Sequence, residues 1–313
     1  MIKLVKAALI VLPTHTSMID SLIVGYPFLE AGLKLPVYQM GKNLSRGINH
    51  HLLPMFNGMF IKRSDYSNLE TLTYANQIEI LLRDKENMVI YPEGTRSKDG
   101  KVAPIQSKKR YFLGKEKETK AMGKGFLAPI LRTVHNKPDD LYYCVMTVSA
   151  PIFPDILEYK TNDGRVNNNI NTFGRLFCYR DFKHVDTGIH IHFCKPQVIK
   201  AGTENTSLNR KRIAKAIRSD MKENIKILPE NIMAYGMEYL KREDKDMEDL
   251  KKIFFSLHEY VQNRHNLIIP DPDESWNLAK RFYNKVNFPL LVGYNSNRVQ
   301  HFFKKDLPLR AYR

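Results

Sequence analysis

Apolar positions recur along this chain in two alternating periods. Residues 7–13 (AALIVLP) form an unbroken apolar run of strand length. In residues 17–33, Ile19, Leu22, Ile23, Tyr26 and Leu29 follow at three- and four-residue steps, the spacing of one helix face. Residues 58–62 (GMFIK) predict a short strand, residues 68–84 a helix striped by Leu69, Leu72, Ala75, Ile78 and Leu82, and residues 87–91 (NMVIY) another strand. The resulting β-α-β-α-β order is that of an α/β sheet with parallel crossovers.

Two later apolar runs, residues 141–149 (LYYCVMTVS) and 188–194 (GIHIHFC), add strands, and the Asn-rich stretch 161–173 between them reads as a loop. Beyond Gly202 the period changes to that of helices, over 208–227, 230–242 and 246–264, with a break at Pro229. The expected fold is therefore α/β: a mixed, largely parallel central sheet flanked by helices, with a mainly helical C-terminal region. The boundary is expected near residue 203, with an α/β domain over 1–203 and a helical region packed on it over 204–313. No repeat of 20–50 residues is visible, which argues against a solenoid.

With 313 residues, 43% apolar and 26% charged, the composition is that of an ordinary globular chain and excludes disordered, collagen-like and coiled-coil readings. The charge is less ordinary: 49 Lys and Arg against 33 Asp and Glu leave +16. Such a surface attracts polyanions, among them phospholipid headgroups, nucleic acid and phosphorylated metabolites. Cys144, Cys178 and Cys194 have no CxxC spacing, so neither a disulfide framework nor a structural zinc site is indicated, and a reducing cytoplasm is expected. The longest stretches without Asp, Glu, Lys or Arg are 47–61 and 141–154, both shorter than the roughly 20 residues of a membrane-spanning helix. The start MIKLVKAALIVLP has the basic opening and apolar run of a signal peptide without a small-residue cleavage site, and reads as a core strand.

Three short segments carry candidate chemistry. His15 and Asp20 sit where the first strand hands over to the first helix. Five residues apart, they would diverge on a regular helix, and meet only if His15 lies in the turn and Asp20 in the first helical turn. The carboxylate would then fix one imidazole nitrogen and leave the other to deprotonate a hydroxyl, a general base without its own nucleophile. Tyr91-Pro-Glu-Gly-Thr-Arg-Ser97 ends a strand with a tight turn, in the place where open α/β sheets bind ligands, and offers Arg96 as a phosphate fork. Gly58-Met-Phe-Ile-Lys-Arg63 ends a strand with two adjacent cations, one for each face of the sheet.

These segments, in this order, resemble the phospholipid/glycerol acyltransferase superfamily, whose four blocks are matched by HTSMID (His15 to Asp20), GMFIKR (Gly58 to Arg63), YPEGTRS (Tyr91 to Ser97) and, more loosely, APILRT (Ala128 to Thr133). Gly41-Lys-Asn-Leu44, FIKRS, GIHIHFCKP and Asn297 to Phe303 lean toward the glycerol-3-phosphate and dihydroxyacetone-phosphate acyltransferase branch. The resemblance implies an acyltransferase catalytic domain over 1–203 and transfer of a fatty acyl group from an acyl-CoA or acyl carrier protein thioester to a glycerophosphate hydroxyl. It implies no further cofactor, no metal and no covalent acyl-enzyme.

On the resemblance, His15 takes the hydroxyl proton, Asp20 steadies the imidazolium, and Glu93, Gly94 and Thr95 lie by the reacting centre. Lys62, Arg63 and Arg96 hold the acceptor's phosphate, and Asn43 contacts the acceptor. Lysophosphatidate is the alternative acceptor, and a basic nucleic-acid-binding protein the remote alternative function, although no RRM, KH or zinc-finger signature accompanies the charge.

The segment 108–124 mixes Lys108, Lys109, Arg110, Lys115, Lys117, Lys120 and Lys124 with Tyr111, Phe112, Leu113 and Met122, and is expected to meet an anionic membrane face, making the protein peripheral on its cytoplasmic side. His190 and His192 alternate onto one face of a strand, but no third metal ligand accompanies them.

Overall fold

A computed structural model describes residues 8–17, 20–41, 54–55, 57–61, 68–94, 96–97, 99–102, 109–112, 115–118, 126–136, 139–152, 188–243, 246–263, 267–285 and 289–303. The N-terminal part contains β1 (Leu9–Pro13), α1 (Asp20–Glu30), β2 (Val37–Gly41), β3 (Gly58–Ile61), α2 (Asn68–Arg83), β4 (Met88–Val89), β5 (Lys109–Phe112), β6 (Lys115–Glu118) and α3 (Leu127–His135). It is followed by β7 (Leu141–Ser149), β8 (His190–Phe193), β9 (Gln197–Ile199), α4 (Ser207–Glu223), α5 (Pro229–Arg242), α6 (Leu250–Gln262), α7 (Pro272–Lys285) and α8 (Pro289–Phe303).

The central sheet has the order β3-β2-β4-β1-β7-β8. The pairs β1–β4, β1–β7, β2–β3 and β2–β4 are parallel, and β8 and β9 lie antiparallel along the two halves of β7. The sheet is mixed and mostly parallel, as the alternation of apolar runs predicts. Parallel pairing has a functional consequence: β1, β2, β3, β4 and β7 all end on one edge of the sheet, so the chain leaves Pro13, Gly41, Ile61 and Val89 on the same side.

Both faces of the sheet are covered. Ile10 and Leu12 point into a cluster with Ile78, Leu82, Ile130, Leu131, Ile213, Ala214, Ile217 and Met221, which seats α2, α3 and α4 on one face. Val11, Val89, Met146 and Val148 point the other way, toward Val24 and Phe28 of α1, Phe282 of α7 and Tyr294 of α8. The period-2 alternation along β1 and β7 sorts these residues between the two layers. A further cluster built on Phe254, Leu257, Leu240, Tyr235 and Phe303 joins α5, α6 and α8.

Polar side chains pin α8 to the outgoing end of β7. Arg298, 4% exposed, donates from Nη2 to the Val148 carbonyl at 2.7 Å, and Asn295 donates to the Pro151 carbonyl at 3.0 Å.

Some sequence expectations shift. The first helix starts at Asp20, not residue 17, and its apolar stripe turns outward at Tyr26 and Leu29 while Val24 and Phe28 are buried. In α2 the stripe buries only its second half: Ile78 and Leu82 are in the core, whereas Leu69 and Leu72 are exposed. Pro229 begins α5, as its missing N–H allows at a helix's first position. Part of the 108–124 segment forms a separate antiparallel ribbon, β5 with β6. The loop expected over 161–173 lies outside the described residues, as do Cys178, Asn43, Lys62, Arg63 and Thr95.

Candidate functional site

The site is built where β1 and β4, hydrogen-bonded neighbours, reach the common edge. Past Pro13 the chain stays fastened to β7: Thr14 donates its backbone N–H to the Met146 carbonyl at 2.9 Å, and its Oγ1 accepts the Val148 N–H at 3.1 Å. The backbone then wraps around the carboxylate that opens α1. Asp20 Oδ2 accepts the N–H groups of Thr16 and Ser17 at 2.7 and 2.8 Å, and Oδ1 accepts the Thr16 hydroxyl at 3.3 Å. Asp20 is fully buried, yet its charge is satisfied by these donors and by its place at a helix N-terminus. This wrapping explains why the helix begins three residues later than the apolar pattern suggests.

His15 completes the ring of donors. Its Nδ1 lies 3.1 Å from Asp20 Oδ2. A carboxylate can only accept, so Nδ1 carries a proton, and in the neutral imidazole Nε2 is the nitrogen with the lone pair. The Tyr91 ring lies against the imidazole, centroids 4.2 Å apart, and the His15 side chain is 14% exposed. Nε2 makes no hydrogen bond among the described residues.

The loop after β4 holds His15 from the other side. Gly94 donates its N–H to the Tyr91 carbonyl at 3.0 Å, closing a four-residue turn with Pro92 in its second position and Gly94, at φ +66°, in its last. Proline and glycine favour these positions because one presets φ and the other tolerates a positive one. The turn folds Glu93 inward, 5% exposed, where Oε1 accepts the His15 backbone N–H at 3.1 Å. Four residues on from Glu93, the Ser97 N–H donates to the His15 carbonyl at 2.7 Å. Both backbone groups of His15 are therefore held by one loop. Ser97 is itself fixed by donation from Oγ to the Lys101 carbonyl at 2.9 Å.

The structure thus brings together His15, Asp20, Glu93 and Gly94, with Arg96 one residue from the Ser97–His15 bond. Asn43, Lys62 and Arg63 follow β2 and β3, whose ends reach the same edge. The fourth block proves helical: Ala128 to Thr133 lie in α3, where Arg132 donates to Asn76 at 3.0 Å and packs α3 on α2. Arg218 of α4 is the residue that the motifs do not point to. Burial pushes its guanidinium below the usual arginine range, and the nearby Glu93 carboxylate opposes that shift. Its signal in sequence is a cation beside the apolar stripe Ile213, Ala214, Ile217 and Met221. Among the described residues no group of three or more His, Cys, Asp and Glu is placed to hold a metal ion.

Residues 3–112 match the family model described as Acyltransferase. Glycerol-3-phosphate acyltransferase of Pseudoalteromonas atlantica is 31% identical over 97 residues, covering 31% of this chain and 12% of that protein. Glycerol-3-phosphate acyltransferase 1, mitochondrial, of Bos taurus is 32% identical over 116 residues, covering 33% of this chain and 14% of that protein. The matched segment is a small part of both relatives. The range 3–112 of the family model contains β1 through β5, and with them His15, Asp20 and Glu93.

Proposed function

We propose that this chain is a glycerolipid O-acyltransferase that moves a fatty acyl group from an acyl thioester to the hydroxyl of glycerol-3-phosphate. The observation that carries the reading is the His15–Asp20 pair, clamped by the 91–97 loop at the edge where the parallel strands end. The match of residues 3–112 to the Acyltransferase family supports it, as does the similarity of about a third of the chain to two glycerol-3-phosphate acyltransferases.

In this reading Nε2 of His15 takes the proton of the acceptor hydroxyl as its oxygen attacks the thioester carbonyl carbon. Asp20, beside Nδ1, steadies the imidazolium. The tetrahedral adduct collapses by breaking the C–S bond, and the proton passes from Nε2 to the departing thiolate. The products are a free thiol and an ester, with no bond to the enzyme at any stage. Arg96, Lys62 and Arg63 supply guanidinium and ammonium donors for the acceptor's phosphate, which suits bidentate recognition. Glu93 orients His15, Gly94 and Thr95 serve acceptor binding, and Asn43 contacts the acceptor.

We further assign the catalytic domain to residues 1–203 and a helical region packed on it to 204–313, supported by the seating of α4 on the sheet through Ile213, Ile217 and Met221. No helix among the described residues is long and apolar enough to cross a membrane. Peripheral contact with an anionic cytoplasmic membrane face through residues 108–124 is the reading that their cations and aromatics support.

Thiol release decides the function. A long-chain acyl-CoA and an acyl carrier protein donor are each offered with glycerol-3-phosphate, dihydroxyacetone phosphate and lysophosphatidate. Glycerol-3-phosphate is expected to drive stoichiometric thiol and monoacyl product, and a folded His15→Ala variant to lose about 10²- to 10⁴-fold in rate. Full transfer by that variant, or release with no acceptor requirement, overturns the reading.

A further inference from the structure

Helix α4 carries a line of cations along one flank. Lys211, Lys215, Arg218 and Lys222 follow at steps of four, three and four, and at 100° per residue they fall within about 60° of one another. Lys211 and Lys215 are exposed, while Arg218 and Lys222 are half-buried. The line lies beside, not within, the buried stripe of Ile213, Ala214, Ile217 and Met221. From end to end it spans about 16 Å of helix axis.

The line leads to the site. Thr147 Oγ1 donates to the Asn224 carbonyl at 2.7 Å, placing the C-terminal end of α4 beside the outgoing half of β7. That half ends on the same edge as β1 and β4. Arg218, in the last third of the helix, acts electrostatically on Glu93, which holds the His15 backbone. The cations therefore run from the site's rim away along the molecule's surface.

Helix stability does not explain them. The first turn of α4 holds no acid, and Arg210, Lys211 and Arg212 follow directly, the wrong sign for the positive end of a helix dipole. Like charges four apart, Lys211 with Lys215 and Arg218 with Lys222, repel. Asp220 and Glu223 lie on other sides of the helix. Lys222, in the last turn, suits the dipole, whereas Lys211 and Lys215 meet both local costs, and cations kept there fit a surface for an anion.

We propose that this flank of α4 binds the phosphate groups of coenzyme A, the nucleotide carrier of the acyl donor. The inference rests on the acyl-thioester reading and adds to it which donor is used and where its carrier lies. A thioester at His15 leaves the pantetheine arm to extend outward, and a row of ammonium and guanidinium groups starting at the rim supplies the counter-charge for phosphates carried at the far end of that arm.

The test uses the full chain and a Lys211→Glu/Lys215→Glu variant. These substitutions give α4 acids near its N-terminus, so its melting temperature is expected to hold or rise. Coenzyme A binding, measured by calorimetry, is expected to weaken about tenfold or more, and wild-type binding to weaken with salt. In turnover, kcat/KM for acyl-CoA is expected to fall at least about tenfold relative to kcat/KM for an acyl-N-acetylcysteamine thioester, which has no phosphates.

Unchanged coenzyme A binding, or an equal loss for both donors, overturns the proposal. So does a loss confined to an acyl carrier protein donor or to anionic vesicles, since each would assign the flank to a different occupant. Wild type that binds coenzyme A but turns over no thioester refutes the proposed function and leaves the binding result to be read independently.

Discussion

The backbone N–H of His15 and the carboxylate of Glu93 meet at 3.1 Å across 78 positions of sequence. Glu93 thereby links the turn after β4 to the residue whose ring faces Asp20, and His15 is placed jointly by two neighbouring strands. Removing that acceptor leaves a partly buried N–H without a partner, which costs about 1–3 kcal/mol. Glu93→Ala is expected to lower stability in urea by that amount and to reduce acyl transfer. Glu93→Gln, which keeps an oxygen, should recover most of the stability. Equal urea midpoints for the Ala variant and the wild type would sever this link.

On the proposed mechanism Asp20 has two tasks, holding the turn and balancing the imidazolium, that one substitution separates from substrate binding. In Asp20→Asn an amide N–H₂ replaces an oxygen that accepts from Thr16, Ser17 or His15, and the imidazolium loses its counter-charge. The expected result is a fall in kcat of about 10²- to 10⁴-fold with the donor KM little changed. A variant whose KM rises while kcat holds would show that Asp20 only shapes the pocket.

Two glycines of the same loop should differ in their tolerance of a methyl group. Both have a positive φ, +66° at Gly94 and +78° at Gly100. A Cβ on Gly94 would meet nothing within 4 Å, so Gly94→Ala is charged only for backbone strain, about 1–2 kcal/mol. A Cβ on Gly100 would lie 2.5 Å from the Tyr294 carbonyl oxygen, a clash with the backbone of α8. Gly100→Ala is therefore expected to lose more stability than Gly94→Ala, read as a lower urea midpoint, and equal midpoints would show that α8 yields.

Much of this arrangement was legible in the sequence. The long runs 141–149 and 230–242 match β7 and α5 almost to the residue, because an element buried along most of its length writes its period plainly. The HTSMID and PEGTRS segments point to a His–Asp pair and a tight turn, and both are present. Elements with little pattern of their own are not legible: β9 has three residues, and α3 shows in the sequence only as a loose motif. Nor could spacing reveal that Glu93 and Ser97 grip opposite sides of one backbone residue, or that Arg218 comes near Glu93 from a helix 125 positions later. Such contacts depend on strand order, which periodicity does not encode.

The thiols of Cys144 and Cys194 are expected to be inert in the folded protein. Burial pushes both up to about 12, and the Cys144 thiol donates to the Cys194 carbonyl at 2.9 Å. Thiolate is the reactive form, so at pH 8 very little is present. Alkylation followed by peptide mapping should leave both unlabelled in buffer and label both in denaturant. Rapid native labelling of either would contradict the packing of β7 against β8.

Acid should loosen the C-terminal helices through His258. This side chain of α6 is 1% exposed, with Nε2 3.3 Å from the Ile269 carbonyl and 3.2 Å from Ser275 Oγ. Burial holds its pKa below the usual histidine value, against a smaller opposing effect of the Ile269 hydrogen bond and Asp271. The unfolded chain therefore takes up this proton first as pH falls. Above the ordinary value of about 6.5 neither state is protonated and the full stability is present. Below it, stability declines by up to about 1.4 kcal/mol per pH unit until the folded-state value is passed. His192 is shifted in the same direction, by burial and by Lys226, and adds to the slope. Urea midpoints at pH 7.5 and 5.5 should thus drop more for the wild type than for His258→Gln, in which a neutral amide still offers a donor to Ile269. Identical drops would mean that the proton enters elsewhere and that the α6–α7 contact is indifferent to pH.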